Sequence, residues 1–285
     1  MAPATADSST VVFLHPGAMG ARVAGECRAA TRLWVSDGRS VDTARRAEAE
    51  GLTAVGSLAH AVEQADVVLS ICPPAAAVEV ATQVAGSGFA GVYVDANAIS
   101  PDTMGQVAEQ FDSAQVIDGG IIGPPPGSAG TTRLYFSGAT PDLSGRVSGL
   151  WQGSTLDVRV LDGPIGTASA LKMTYAAWTK GSAALLATVT AAAHSLGVMD
   201  DLVDEWALSQ PGLREQAERT AAGVGPKAWR FEGEMIEIAN TFEQAGVPDG
   251  FWLAAAETYR RLVSLKNHSG PTITELAALL VDEPG

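Results

Sequence analysis

Apolar runs and helix-like repeats alternate along the first half of the chain. Four runs predict strands, and the first of them shows no polar alternation, which is typical of a strand buried on both faces. They are Thr10–His15, Arg32–Ser36, Ala65–Ile71 and Gly91–Asp95. Helical patterns occupy 40–50 and 101–112, a weaker strand and helix occupy 53–64, and later strands are predicted from Val116, at Leu134–Ser137 and at Asp157–Leu161. This alternation predicts right-handed parallel crossovers and a doubly wound α/β sheet.

The second half carries helical patterns only. After Gly166 the predicted helices are 166–196, 199–208, 211–223, 226–245, 249–265 and 272–282. The sequence therefore predicts a disordered tail over residues 1–9, an α/β domain over 10–164 and an all-helical domain over 165–285, joined by a long interdomain helix.

The long helix has a repeating apolar seam. Apolar or small residues recur in steps of four and three, which predicts one buried face. They are Leu171, Tyr175, Trp178, Ser182, Leu185, Val189, Ala192 and Leu196. Lys172 lies one residue off this seam. It is either a solvated helix charge or a base directed into a cleft.

Composition narrows the class of protein. The chain has 285 residues, 46% apolar and 18% charged, as expected of a globular protein. Its formal net charge of −14 argues against nucleic acid or an anionic membrane as partner. The N-terminus lacks the features of a signal peptide, and the two cysteines do not form a disulfide framework, so a cytoplasmic location is predicted. No residues have metal-ligand spacing, and no metal is predicted.

A glycine turn follows the first strand. His15, Pro16, Gly17, Ala18, Met19 and Gly20 stand between strand and helix. In the dinucleotide fingerprint G-x-G-x-x-G, the second glycine lets the backbone approach a pyrophosphate and the third lets helix and strand pack closely. Here the first glycine is replaced by His15. The motif alone fits either a dinucleotide site or a tight turn.

The segments at the carboxyl ends of the strands are predicted to line one crevice, because ligands of doubly wound sheets bind there. These segments are His15–Gly20, Ser36–Ser40, Cys72–Pro74 and Asp95–Ser100. Cys72, Pro73 and Asn97 are therefore candidate cofactor contacts.

Residues after the second strand bear on cofactor choice. Asp37 would bind a ribose 2′-hydroxyl and favour NAD, whereas Arg39 with Ser40 would bind the 2′-phosphate of NADP. We favour NADP. The alternative is a polar turn with a solvated arginine.

Another strand breaks into a glycine–proline loop at Val116–Pro126. The loop is consistent with either of two roles. It could simply reverse the chain, or it could present exposed backbone N–H groups that bind a small anion. Gly119, Gly120 and Ile121 are candidate substrate contacts.

The order of these motifs resembles the β-hydroxyacid dehydrogenases, which share their architecture with 6-phosphogluconate dehydrogenase and the imine reductases. More narrowly, the chain resembles a poorly characterised bacterial subgroup labelled phosphogluconate dehydrogenase-like. The matching segments are Leu14–Gly20, Asp66–Pro74, Asp95–Pro101, Asp118–Pro125 and Gly166–Lys172. The resemblance implies a Rossmann-type N-terminal domain and a nicotinamide cofactor. It also implies that Lys172 takes the hydroxyl proton while hydride leaves to nicotinamide.

The resemblance does not identify the substrate. Family members place asparagine, or histidine then asparagine, three and four residues after the lysine, where this chain has Tyr175 and Ala176. Tyr175 either donates a proton to substrate or packs with Trp178. Thr179 lies near the line of Lys172 on a helix and is a further candidate substrate contact.

Three hypotheses follow. The first is an NADP-dependent oxidoreductase acting on a small hydroxy acid-like alcohol or its carbonyl, with Lys172 as base. The second is an imine or ketone reductase with Tyr175 as proton donor. The third is a dinucleotide-binding sensor or scaffold without turnover. A homodimer formed through the helical domain is also expected, because that domain has an apolar surface to cover.

Overall fold

A computed structural model describes residues 8–266 and 268–281 of the chain. The predicted tail falls mainly on residues 1–7, which lie outside the described residues. The strands are β1 (Thr10–Leu14), β2 (Thr31–Val35), β3 (Thr53–Val55), β4 (Val67–Ser70), β5 (Val92–Asp95), β6 (Gln115–Ile122), β7 (Arg133–Ser137) and β8 (Asp157–Val160). All eight belong to one sheet in the order β3-β2-β1-β4-β5-β6-β7-β8.

The sheet is parallel except between β6 and β7. Those two strands pair antiparallel, with Gly120 opposite Tyr135. The parallel α/β sheet predicted from the alternating pattern is confirmed, but the antiparallel step was not predicted. It occurs because the connection between β6 and β7 is a glycine–proline loop without a crossover helix, and a short loop can only reverse the chain.

The helices of the first half are α1 (Ala18–Gly25), α2 (Val41–Ala49), α3 (Leu58–Val62), α4 (Ala77–Gly86), α5 (Pro101–Ala108) and α6 (Pro141–Gly149). Four of them begin after a hydroxyl side chain that accepts a hydrogen bond from a first-turn N–H group. These caps are Ser40, Ser57, Ser100 and Thr140.

Two apolar cores cover the two faces of the sheet. One joins β-strand side chains to α1, α2 and α6, and includes the buried Phe13, Phe136 and Trp151. The other joins them to α3, α4 and α5, and includes Tyr93 and Met104. Helices on both faces explain why the strand patterns show no polar alternation.

The second half is helical, as predicted. Its helices are α7 (Thr167–Ser195), α8 (Met199–Ser209), α9 (Leu213–Val224), α10 (Ala228–Gln244), α11 (Gly250–Arg261) and α12 (Ile273–Val281). The chain divides into two compact units between Met173 and Thr174, within α7. None of the described helices is long and apolar enough to cross a membrane.

The helical unit is held together by α7, α10 and α11. Lys180 on α7 forms an ion pair with Glu234 on α10, and both side chains are largely buried. The Tyr259 hydroxyl on α11 donates to the Lys180 carbonyl oxygen at 2.7 Å. Its ring meets the Phe231 ring edge-on at a centroid distance of 5.3 Å.

The predicted buried seam of α7 is wrong. Trp178 is 76% exposed and Leu196 is 75% exposed, and Tyr175, Leu185 and Val189 are exposed as well. The buried face consists mainly of small residues, which allow neighbouring helices to approach closely. They are Ala176, Ala177, Gly181, Ala184, Ala187 and Ala191. Apolar periodicity identified a helix face correctly, but it could not distinguish packing within the chain from an exposed apolar surface.

Candidate active site

The turn between β1 and α1 offers free backbone donors. Gly17 precedes α1 and supplies no side-chain hydrogen bond to it, and first-turn N–H groups have no partner inside their own helix. A Cβ on Gly17 would have the His15 carbonyl oxygen, 3.9 Å away, as its nearest neighbour, so this side of the turn is open. On Gly20 a Cβ would lie only 3.0 Å from the same oxygen. These residues fit the diphosphate of a dinucleotide.

His15 adopts the backbone conformation that a first glycine would supply. Its φ is +59°, and it is the one non-glycine residue with positive φ in the described chain. This conformation costs an L-residue roughly 1–2 kcal/mol. Burial, and secondly the charge of Arg39, lowers the pKa of His15 to about 4, so its ring is neutral at pH 7. The missing glycine therefore leaves the turn intact.

The loop after β2 carries a cation, Arg39. Asp37, Arg39 and Ser40 are all exposed, and the Ser40 hydroxyl caps α2. Arg39 forms no ion pair with any carboxylate of the described residues. Partial desolvation lowers its pKa, and its charge acts on His15 and Cys72. Because β2 pairs in parallel with β1, this loop leaves the sheet beside the end of β1.

Asn97 connects the end of β5 to the turn after β4. Its side-chain oxygen accepts from the Cys72 N–H at 2.5 Å, and its side-chain amide donates to Asp95 at 2.7 Å. Asn97 is buried, so its hydrogen bonds hold the Cys72–Pro73 turn from the interior of the protein.

The Cys72 thiol is protonated at neutral pH. Burial, followed by the Asp95 charge, raises its pKa to about 12.

Asp95 should make stability depend on pH. It is fully buried and stands opposite Asp118 in the β5–β6 pairing. Burial, with a contribution from Asp118, raises its pKa from 3.8 to about 7. Between pH 3.8 and about pH 7, the folded state therefore binds more protons than the unfolded state. The free energy of unfolding should fall by about 2–4 kcal/mol as pH rises from 4 to 8.

Urea unfolding of the wild type and of Asp95→Asn at pH 5 and pH 8 tests this expectation. The variant should lose that part of the pH dependence, whereas Asp142→Asn, which removes an exposed carboxylate from α6, should retain it. An unchanged pH dependence in Asp95→Asn would contradict the assignment.

The start of α7 packs directly on β6. Residues 119–122 extend beyond Asp118, the last residue of β6 that pairs with β5. A Cβ on Gly120 would lie 2.7 Å from the Ala168 carbonyl oxygen and 3.2 Å from the Lys172 Cβ. Glycine at this position therefore lets the helix approach the strand, and it brings Lys172 to the carboxyl edge of the sheet.

Gly119, Gly120 and Ile121 are buried within β6, and their backbones pair with β7. A Cβ on Gly119 would lie 2.6 Å from the Asp95 carbonyl oxygen. The structure therefore shows a packing role for both glycines. The predicted substrate contacts at these residues remain a prediction.

Asp118 anchors the first turn of α7. Its Oδ2 accepts hydrogen bonds from the N–H groups of Gly166, Ala168 and Ser169 at 2.9, 2.8 and 3.1 Å. The Ser137 hydroxyl also donates to Oδ2 at 2.8 Å, and the Ser169 hydroxyl donates to Oδ1 at 2.7 Å. Because Asp118 is fully buried, these five donors and the positive end of the helix dipole stabilise its charge.

This cap was missed at the sequence level. The motif Asp118–Pro125 predicts no role for the Asp118 side chain, and no sequence pattern singles out Ser137 or Ser169. A carboxylate inside a buried strand was the available signal, because a buried charge needs partners. The donors are up to 51 residues away in sequence, so no local pattern could identify them.

Tyr175 and Thr179 lie further along α7, in the helical unit. Both are exposed, and the Thr179 hydroxyl donates to the Tyr175 carbonyl oxygen at 3.3 Å. Within the described chain no ring contact joins Tyr175 to Trp178. The described residues also contain no group of three or more histidine, cysteine or acidic side chains placed to hold a metal ion.

Solved structures with a similar fold were found over nearly the whole chain. A conserved protein of unknown function, described as structurally similar to 3-hydroxyacid dehydrogenases, is 25% identical with a TM-score of 0.63, covering 90% of this chain and 99% of that one. A 3-hydroxyisobutyrate dehydrogenase from Salmonella typhimurium is 15% identical with a TM-score of 0.66, covering 95% and 100%. An imine reductase from Streptomyces aurantiacus is 17% identical with a TM-score of 0.51, covering 96% and 100%.

Comparisons of sequence gave two further matches. Residues 193–262 match a domain of unknown function, DUF1932. An uncharacterised 28.5 kDa protein from Methanothermus fervidus, from the 5′ region of a 7S RNA, is 28% identical over 167 residues, or 59% of this chain. The match spans 63% of that protein's length. The chain has the fold of the 3-hydroxyacid dehydrogenases, which confirms the resemblance predicted from its motifs.

Proposed function

We propose that this chain is a nicotinamide dinucleotide-dependent oxidoreductase that acts on a small hydroxy acid-like alcohol or its carbonyl, with Lys172 as general base and acid. The observation that carries the proposal is the docking of α7 on Gly120, which brings Lys172 to the carboxyl edge of the sheet. The open turn at Gly17 lies at the same edge. The fold shared with 3-hydroxyacid dehydrogenases supports this class of reaction.

A bound nicotinamide would accept or supply the hydride. In oxidation, the Lys172 amine takes the proton of the substrate hydroxyl, and in reduction the ammonium returns it. The amine must be neutral for the first step, because only a neutral amine can accept a proton. Asp118, by fixing the first turn of α7, holds the lysine in place.

Absorbance of reduced nicotinamide, followed with a panel of small hydroxy acids, carbonyl compounds and imines, tests this function. Oxidation of a hydroxy acid is the expected result. Cofactor binding without turnover of any panel member would instead support a sensor or scaffold.

For the cofactor we propose NADP over NAD. The support is the charge of Arg39 in the loop after β2, which pairs with no carboxylate of the described residues, since a guanidinium pairs well with a 2′-phosphate. Asp37, which would favour NAD, is exposed on the same loop.

Arg39→Gln should weaken NADPH binding about 10- to 100-fold and change NADH binding less than about threefold, because only NADPH carries the 2′-phosphate. Calorimetric titration of both cofactors measures this. Arg45→Gln, an exposed arginine of α2, is the matched control. Equal losses for the two cofactors in Arg39→Gln would contradict the assignment.

A second candidate is an imine or ketone reductase with Tyr175 as proton donor. It is favoured by the exposure of Tyr175 and by the absence of a ring contact to Trp178 in the described chain. Tyr175 follows Lys172 by three residues on α7, and its hydroxyl is the candidate proton donor of this second function. Loss of reduction in Tyr175→Phe, with oxidation by Lys172→Met retained, would favour this candidate over the first.

We also propose that the protein is a homodimer, with neither nucleic acid nor membrane as partner. The exposed face of α7 defined by Tyr175, Trp178, Leu185, Val189 and Leu196 supports this proposal. Exposed apolar surfaces of this kind mark interaction sites, and a second copy of α7 offers a complementary apolar face.

Trp178→Glu should convert the dimer into a monomer, because it places a charge in the centre of this face. Light scattering coupled to size exclusion should then give the mass of one chain, against twice that mass for the wild type. The control is Val41→Glu, since Val41 is 75% exposed on α2. A dimeric Trp178→Glu variant, or a monomeric wild type, would refute this interface.

A further inference from the structure

His15 has two energetically unfavourable features that a glycine at this position would not have. Its backbone is held in the left-handed region, with φ at +59°. Its ring nitrogen Nδ1 is buried and has no hydrogen-bond partner among the described residues. Strained conformations and unpaired buried polar atoms concentrate at sites of function, where a ligand compensates for them.

The position of His15 limits what the ligand can be. Strands β1 and β2 pair in parallel, with Phe13 opposite Trp34. His15 and the loop that carries Arg39 therefore leave the same edge of the sheet side by side. The charge of Arg39 acts on the His15 ring. An anion bound by the Arg39 guanidinium would thus lie close to the His15 imidazole.

The ring is suited to an anion. Its burial keeps it uncharged at neutral pH, so it does not repel Arg39, and a neutral imidazole carries one N–H donor. The N–H groups of the first turn of α1 are separate donors, suited to the diphosphate. The imidazole is then available for a second phosphate.

We infer that His15 is a specificity-determining residue that, with Arg39, binds the 2′-phosphate of an adenosine dinucleotide. The inference rests on the proposed use of NADP. It assigns the imidazole a direct hydrogen bond to the phosphate, and it explains why histidine stands where glycine would be less strained.

The test is calorimetric titration of the full chain with NADPH, NADH and 2′,5′-ADP, in the wild type and in His15→Gly. Glycine adopts positive φ freely, so this variant should keep the turn and should melt no lower than the wild type. Its affinity for NADPH and 2′,5′-ADP should fall about 10- to 100-fold, the range for a hydrogen bond to a charged group, and its affinity for NADH less than about threefold.

His15→Asn serves as the second variant. Asparagine tolerates the left-handed region and keeps a donor, so its affinity for NADPH should lie between those of the other two proteins. Unchanged binding of 2′,5′-ADP by His15→Gly would overturn the inference. So would an equal loss for NADPH and NADH, or a lower melting temperature with unchanged affinities, which would make the ring a packing residue.

The two proposals fail in different ways. A wild type that binds neither cofactor, or that binds NADH more tightly than NADPH, contradicts the proposed use of NADP and the inference with it. If Arg39→Gln loses NADPH affinity and His15→Gly does not, the cofactor assignment stands and only the role of His15 is overturned.

Discussion

Lys172→Met is expected to lower kcat/KM by about 10²- to 10⁴-fold, the range of general acid–base catalysis, and to leave NADPH affinity within about twofold of the wild type. Methionine keeps the length and apolar body of the side chain, so the packing of α7 on Gly120 should survive. The loss should appear in kcat, because proton transfer belongs to the chemical step. Steady-state kinetics with the substrate found in the panel, and a parallel cofactor titration, measure both quantities.

Two further variants control this result. Lys172→Arg keeps a cation but is not a base at accessible pH, so it should be as inactive as Lys172→Met. Lys227→Met replaces an exposed lysine at the start of α10 and should be fully active. Activity in Lys172→Arg close to that of the wild type would show that the side chain acts only as a charge.

Asp118→Asn should lower the free energy of unfolding by about 2–4 kcal/mol, since it leaves several buried donors without an acceptor. An asparagine side chain has one acceptor oxygen, whereas Asp118 serves five donors. The first turn of α7 should detach locally, and kcat should fall because Lys172 lies in the next turn. Urea unfolding and hydrogen exchange at Ala168 and Ser169 measure the two effects.

Ser169→Ala is the matched variant for Asp118→Asn. It removes one hydroxyl donor and keeps the carboxylate, so it should cost only about 1 kcal/mol. If Asp118→Asn were no less stable than Ser169→Ala, the carboxylate would not be the main anchor of α7.

The sheet and the helices could be predicted because they depend on local patterns. Mostly apolar runs such as Ala65–Ile71 reflect strands covered on both faces, and a strand overlaps each of the four runs. The fold class followed from the alternation of strands and helices. The antiparallel β7 did not, because pairing direction depends on how the loop before Thr132 folds, and the Thr132 hydroxyl holds that loop through the Pro124 carbonyl oxygen.

The site was predictable only where function imposes a local motif. Gly17 and Gly20 could be assigned from their spacing alone. The conformation of His15 could not, since nothing in a sequence shows that histidine adopts a positive φ. The cap at Asp118 depends on contacts between distant segments, and the exposed face of α7 depends on which side of the helix the rest of the chain covers.

The central claim is that the carboxyl edge of this sheet binds a nicotinamide dinucleotide, and calorimetric titration of the intact protein with NADPH tests it most directly. One NADPH should bind per chain, and Gly17→Val, which places a side chain on the open side of the turn, should abolish binding while the protein remains folded. Absence of binding to NADPH and NADH in the wild type, or unchanged binding in Gly17→Val, would contradict the account.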